Sequence, residues 1–280
     1  YSLVESYLEM VPIGSKLKVP IFMGAYPFPE PEANDTATLY VDSDATGVGD
    51  GSSWTDAFTT LAAAHAAASD GDVIEFSGGV SAKEYIINFT ITKGVVFQGS
   101  KELGHDGSVI FQGRYQVNNT VGQVVFRNAQ CKGESITTNP IRVFAGASLK
   151  IVDCRFGPIS STLTSLIEAG TIEFKNTIIR SNDRINTATA TFLYTSGAAN
   201  VIINNCLLDY YGIMDIGSTA SILIDKSTFL TSIGSTTSRA IQINAPASVS
   251  IKKSIFFGVQ PVRNISGFEY TVEDCFWHKT

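Results

Sequence analysis

Apolar and polar positions alternate through one eight-residue phrase that recurs seven times between Val124 and Trp277. The copies read VVFRNAQC (124–131), LKIVDCRF (149–156), IEFKNTII (172–179), VIINNCLL (201–208), ILIDKSTF (222–229), VSIKKSIF (249–256) and YTVEDCFW (270–277). The first, third and eighth positions are apolar or nearly so. The sixth is small: Ala129, Cys154, Thr177, Cys206, Ser227, Ser254 and Cys275. Alternation of period two predicts a strand, and the small position that interrupts it predicts a bend. Successive copies begin 25, 23, 29, 21, 27 and 21 residues apart, which is the length of a solenoid rung and too irregular for a heptad or a helical-pair repeat.

Each rung carries a second, weaker apolar run that ends at a turn residue. These are Ile141–Ala145 before Gly146, Leu166–Ala169 before Gly170, Phe192–Ser196 before Gly197, Ile213–Ile216 before Gly217, Ile241–Ala245 before Pro246 and Val262–Ser266 before Gly267. Two or three short strands per rung, without helical periodicity between them, exclude βαβ units and predict a coil. Stacked at about 4.8 Å, equivalent strands would pair into long parallel sheets around an apolar shaft. The small sixth positions would line up as an internal column at the bend.

Ahead of the regular rungs, residues 37–53 read as a strand followed by an Asp- and Gly-rich loop. Residues 54–69 then read as a helix, with Ser53 as N-cap, Asp56 in the first turn, Asp70-Gly71 as the stop, and Trp54, Phe58, Leu61, His65 and Ala68 along one face. A solenoid must cover its first rung, and this helix is the expected lid. DVIEF (72–76), YIINFTI (85–91), GVVFQGS (94–100) and SVIFQG (108–113) read as the strands of less regular opening rungs. The organisation expected is a leader or tail of a preceding domain at 1–36, Pro-rich at its end, and one all-β parallel β-helix at 37–280 with rungs from about 72 onward. The seventh phrase is followed almost at once by Thr280, so a further domain or another chain is expected to cover that edge.

Composition narrows the classes. Only 16% of residues are charged and the net charge is −6, with no basic stripe interleaved with aromatics, so nucleic acid is not an expected partner. No stretch approaches the roughly 20 apolar residues of a membrane span. The chain begins at Tyr1 and shows no signal segment. Cys154 and Cys206 share the sixth position but lie two rungs, or about 10 Å, apart, beyond the roughly 7 Å reach of a disulfide. With Cys131 at an eighth position, four free buried thiols are expected. The absence of any Cys-x-x-Cys or His cluster predicts no metal site.

The segment LYVDSDATGVGDGSSWTDAFTTLAAAHAAASDGDVIEF, followed by YIINFTITKGVVFQGS, resembles the N-terminal cap and first coils of right-handed parallel β-helix proteins of the pectin-lyase-like superfamily. Later rungs such as VIINNCLLD and IKKSIFFG resemble secreted or surface β-helix proteins of Bacteroidetes. The resemblance covers roughly 37–280 and implies the fold, with a secreted or cell-surface location. It does not imply one activity, because the superfamily includes lyases, glycoside hydrolases and binding modules. The Arg-x-Pro-x-x-Arg run of pectate lyases is missing. So are the Asn-x-Asp, Asp-Asp and Arg-Ile-Lys motifs of polygalacturonases, whose Gly-His-Gly is approached only by Gly104-His105-Asp106-Gly107, a segment read most simply as a turn.

Weaker candidates remain on the outward positions. Lys150, Arg155, Glu173, Lys175 and Arg180 would serve a Lys/Arg lyase that abstracts a proton from a uronate, the one reading under which calcium would be a cofactor. The simplest reading of Lys150 and Glu173 is a cross-strand ion pair. A second stripe, Glu168, Thr195, Asp215 and Asn244, lies two residues before each turn residue and offers oxygen ligands or a solvated face. Tyr210 and Tyr211 add aromatic character suited to carbohydrate stacking, while Trp277 and His65 read as core. Three functions follow in order: a non-catalytic face for glycan or protein binding, a polysaccharide lyase acting on acidic glycans, and a structural spacer or adhesin.

Overall fold

The bend in the phrase is made by one backbone device. The fifth positions, Asn128, Asp153, Asn176, Asn205, Lys226, Lys253 and Asp274, all adopt left-handed conformation with φ between 48° and 52°. Asn and Asp tolerate this region better than other residues with a β-carbon, which accounts for most of the seven. At the sixth position, Thr177, Ser227 and Ser254 donate their hydroxyls to the carbonyls of Lys175, Asp225 and Lys252 at 2.9, 2.9 and 2.7 Å. Cys206 and Cys275 donate their thiols in the same way to Asn204 and Glu273. In these five phrases a small donor closes the corner over the carbonyl two residues back, while the Cys154 thiol donates to the Phe126 carbonyl of the preceding rung.

The computed structural model describes residues 34–133, 141–159, 165–181, 191–209, 212–217, 219–230, 239–244, 247–258, 260–264 and 269–279. They form a parallel β-helix of three sheets. The first has ten strands and holds the opening half of each phrase, from Leu39–Val41 through Val124–Arg127 and Thr171–Lys175 to Tyr270–Glu273. The second, of nine strands from Ala82–Ile87 to Phe276–Lys279, holds the closing half. The third, of eight strands from Thr90–Ile91 to Gln260–Asn264, holds the weaker apolar runs. Each complete rung thus contributes three strands, pairing in parallel with their equivalents in the next rung.

Register places the apolar positions where the pattern predicts. The third positions Phe126, Ile151, Phe174, Ile203, Ile224 and Ile251 stack in one column and are wholly buried. Cys131, Phe156, Ile179, Leu208, Phe229, Phe256 and Trp277 form the eighth-position column by register. The opening rungs are dense in aromatics, with Phe97 stacked on Phe126 at 4.9 Å and Phe76 edge-on to Phe111 at 4.8 Å. All four cysteines are free, as expected, but only three are buried. Cys275 is partly exposed because it belongs to the last rung, where Tyr270 and Val272 are also 42% and 50% exposed. Burial raises the Cys154 thiol well above its ordinary value and pushes Cys206 up to about 12.

The lid differs from the expected helix. The helix spans Leu61–Ala67, and its N-cap is Thr60, whose hydroxyl accepts from the Ala63 amide at 3.2 Å. Residues 54–58 are not helical, because their backbone is used to close the free edge of the first strand. The Phe58 amide donates to Tyr40, the Asp42 amide to Phe58 and the Tyr40 amide to Gly51, at 2.9–3.0 Å. Ser53 still caps, but caps a turn, by accepting from the Asp56 amide. Leu61, Ala64 and His65 face the shaft. Lys93 reaches across to the carbonyls of His65, Ala66 and Ala68 at 2.6–2.8 Å, where a cation complements the helix C-terminus. At the chain entry, Asn34 and Asp35 are tied to the first sheet through Gly99, Gln98 and Arg127.

The unequal rung lengths come mainly from one corner. Between the second-sheet strand and the following third-sheet strand lie 134–140, 160–164, 182–190, 210–211, 231–238 and 259, that is 7, 5, 9, 2, 8 and 1 residues. These intervals rise and fall with the 25, 23, 29, 21, 27 and 21 residue spacings of the phrases. The first corner, by contrast, is two residues long in every phrase.

Candidate functional site

On the first sheet, Lys150 and Glu173 occupy adjacent strands in register, and their charged ends lie 3.3 Å apart. This is the cross-strand ion pair of the simplest reading. Lys175 sits in the other outward column of that sheet, opposite Val152 and Asn204. Arg180 is on the second sheet, opposite Asp209, and Arg155 is an exposed residue of that sheet, followed by the buried Phe156. The five residues proposed for proton abstraction are therefore divided between two sheets. Lys252 and Glu273, in register on neighbouring strands of the same sheet, repeat the paired arrangement at 3.1 Å.

The second stripe does not form one column. In the third sheet Thr195 lies in register with Ile167 and Ile216, faces the core and is 2% exposed, its hydroxyl without a partner among the described residues. By register Asp215 lies one position before that column, opposite Tyr194 and Gln242, while Glu168 and Asn244 lie one position after it. The offset from the turn residue fails because turns into the first sheet vary in length and conformation; Ala169 is left-handed in one and Gly197 in another. Tyr210 and Tyr211 fall outside the described residues.

What the third sheet does present is one continuous register column, Thr90, Gln116, Arg142, Leu166, Tyr194, Asp215, Gln242 and Arg263, one per strand, along which Thr90, Gln116, Arg142, Tyr194 and Gln242 are partly or fully exposed. Arg142 is held rigid, with Nε and Nη2 donating to one Glu168 oxygen at 3.0 and 2.7 Å and the guanidinium 4.3 Å over the Phe144 ring. The Tyr194 ring is 37% exposed and lies against Gly217, where a β-carbon would approach its hydroxyl to 2.5 Å. Thr90 donates to Gln116 at 3.3 Å, and Gln242 to Asn244 at 3.0 Å. Sequence reasoning missed this column because its members share only strand register, not a motif.

A second constellation, also missed, sits beside the lid. His105 of the Gly104–Gly107 turn stacks on Trp54 with ring centroids 4.0 Å apart, and Trp54 meets Tyr40 edge-on and donates to Glu102 at 2.7 Å. His105 Nδ1 lies 2.9 Å from the Ser77 hydroxyl and 3.7 Å from Asp42. Lys83 bonds Asp42 and reaches Asp44 at 2.9 Å. Burial alone would raise the Asp42 carboxyl, but Lys83, the Asp44 amide and Ser77 together hold it below its ordinary value. Ser, His and Asp meet here without the geometry of a nucleophilic triad. Ser77 is fully buried, and both Ser77 and Asp42 face the same imidazole nitrogen, so no proton can be passed across the ring. The arrangement fastens the 42–58 loop to the opening rungs.

Among the described residues no three His, Cys, Asp or Glu side chains group to hold a metal ion, and no helix is long and apolar enough to cross a membrane. No protein-family model and no curated protein matches the sequence. Among solved structures the chain is similar to one titled rhamnogalacturonan lyase, with a TM-score of 0.55 and 12% identity, covering 85% of this chain and 73% of that one. The chain is a parallel β-helix of the pectin-lyase-like fold.

Proposed function

We propose that this protein is a non-catalytic, secreted or cell-surface β-helix that binds a glycan along the outward face of its third sheet. The observation that carries the reading is the in-register column containing Gln116, Arg142, Tyr194 and Gln242, in which hydrogen-bonding side chains and a ring recur at the strand spacing of about 4.8 Å. An exposed ring fixed against Gly217 suits stacking on a sugar, and flanking amides suit its hydroxyls. Elsewhere the outward acids Glu168, Glu173 and Glu273 each face a cation, which leaves them poorly suited to act as a base.

The test is a glycan array probed with the wild-type chain and with Tyr194→Ala, alongside an ultraviolet assay for unsaturated uronides from acidic polysaccharides with calcium present. Glycan retention that Tyr194→Ala removes, with no uronide release, is the expected result. Release that depends on Lys150 or Lys175 would replace this reading with the lyase. Capture of no glycan would leave the spacer or adhesin.

A further inference from the structure

The charge along the third-sheet column specifies which glycans it suits. Arg142 projects from the column, but Glu168 takes its Nε and Nη2 protons on a single carboxylate oxygen, so the pair is neutral as seen by a ligand. Further along, Asp215 and Arg263 flank Gln242 in register, one acid and one base. Of the remaining members Leu166 is apolar, and Thr90, Gln116, Tyr194 and Gln242 are uncharged hydrogen-bonding groups. By residue type, the column together with Glu168 holds two bases, Arg142 and Arg263, and two acids, Glu168 and Asp215. A polyanionic chain laid here would lose hydration from its carboxylates without meeting a net positive field, which is unfavourable. A hydroxyl-rich neutral chain would meet amides and hydroxyls that both donate and accept, together with the Tyr194 ring.

We infer that the face binds a neutral polysaccharide running along the helix axis and discriminates against uronate-rich chains. This rests on the glycan-binding reading above. Tyr194 is the stacking platform, Gln116 and Gln242 read hydroxyls, and Glu168 is the specificity residue, acting by cancelling the charge of Arg142.

Affinity electrophoresis tests it, using a mixed-linkage glucan, a galactomannan and an arabinan as neutral probes and polygalacturonate as the acidic one, each at low and high salt. At least one neutral probe should retard the protein, unchanged by salt, because no ion pairs are screened. Tyr194→Ala and Gln242→Ala should each weaken retardation about tenfold, a loss of roughly 1.4 kcal/mol. Glu168→Gln, which leaves the Arg142 charge uncompensated, should create salt-sensitive retardation by polygalacturonate. Circular dichroism of each variant verifies the fold, and Tyr194→Phe, which keeps the ring, should retain most of the binding. Salt-sensitive binding of polygalacturonate by the wild type, with none of the neutral probes, would overturn the neutral class and leave a glycan-binding face. Neutral binding untouched by Tyr194→Ala and Gln242→Ala would place the site elsewhere and overturn the assignment to this column. Retardation by none of the probes, with a blank glycan array, would remove both readings.

Discussion

Asn176 joins the two devices that turn each rung, and replacing it should reveal how much each contributes. Its amide donates to Asp153 at 2.9 Å, and its oxygen accepts from Asn205 at 2.9 Å, so it links three consecutive corners. It is buried and its φ is 51°. Asn176→Ala removes both hydrogen bonds, at about 1 kcal/mol each. It also leaves a residue with a β-carbon in left-handed backbone without the local stabilisation Asn enjoys there, at roughly 1 kcal/mol more. The expected loss is therefore about 3 kcal/mol. Asn176→Gly loses the same hydrogen bonds but adopts this φ freely, although its unfolded chain gains entropy worth roughly 0.5–1 kcal/mol. It should sit at or slightly above the Ala variant and well below wild type. Urea unfolding followed by intrinsic fluorescence gives the comparison through midpoint and slope. A loss below about 1 kcal/mol for Asn176→Ala would refute the claim that the side-chain chain holds the corners. A Gly variant clearly less stable than the Ala variant would refute the backbone argument.

The buried His65 packs 4.8 Å from Phe89, and burial, followed by the nearby Lys93 charge, lowers its pKa. The unfolded state therefore binds the proton more readily, so stability should be level above about pH 6.5 and fall as pH drops below it, a decline that thermal melts should find absent in His65→Leu. Native-state alkylation near pH 8 should modify the partly exposed Cys275 first and leave Cys154 and Cys206 protected, because their raised pKa keeps them as thiols; equal labelling of all four by mass spectrometry would contradict the packing. Ile151→Ala, in a wholly buried column, should cost about 2–5 kcal/mol, while Lys150→Ala, one residue away in a solvent-screened pair, should cost no more than about 1 kcal/mol.

The coil was legible because period-two apolar alternation and a small residue at one offset are direct consequences of a strand meeting a bend. The same regularity put Lys150 beside Glu173. The lid was only half legible: Trp54, Phe58, Leu61 and His65 have helical spacing, yet Phe58 is drawn into pairing with Val41 at the sheet edge, which no local pattern records. The stripe through Thr195 failed for a related reason. Counting back from a turn residue assumes turns of one shape, and a slip of one position sends a side chain from solvent to core. The Trp54–His105 stack joins residues 51 positions apart through loops without periodicity, so only tertiary structure brings it together.

Placing most of the length variation at the corner between the second and third sheets gives the molecule a division of labour. A rung that gains or loses residues there recovers its phase at the following strands, since the two-residue corner in the phrase never changes and the apolar columns continue undisturbed. Segments of 2 and 9 residues are already accommodated in neighbouring rungs. That corner is accordingly a place to graft foreign peptides, singly or as a series spaced by whole rungs, with the shaft acting as an indifferent ruler.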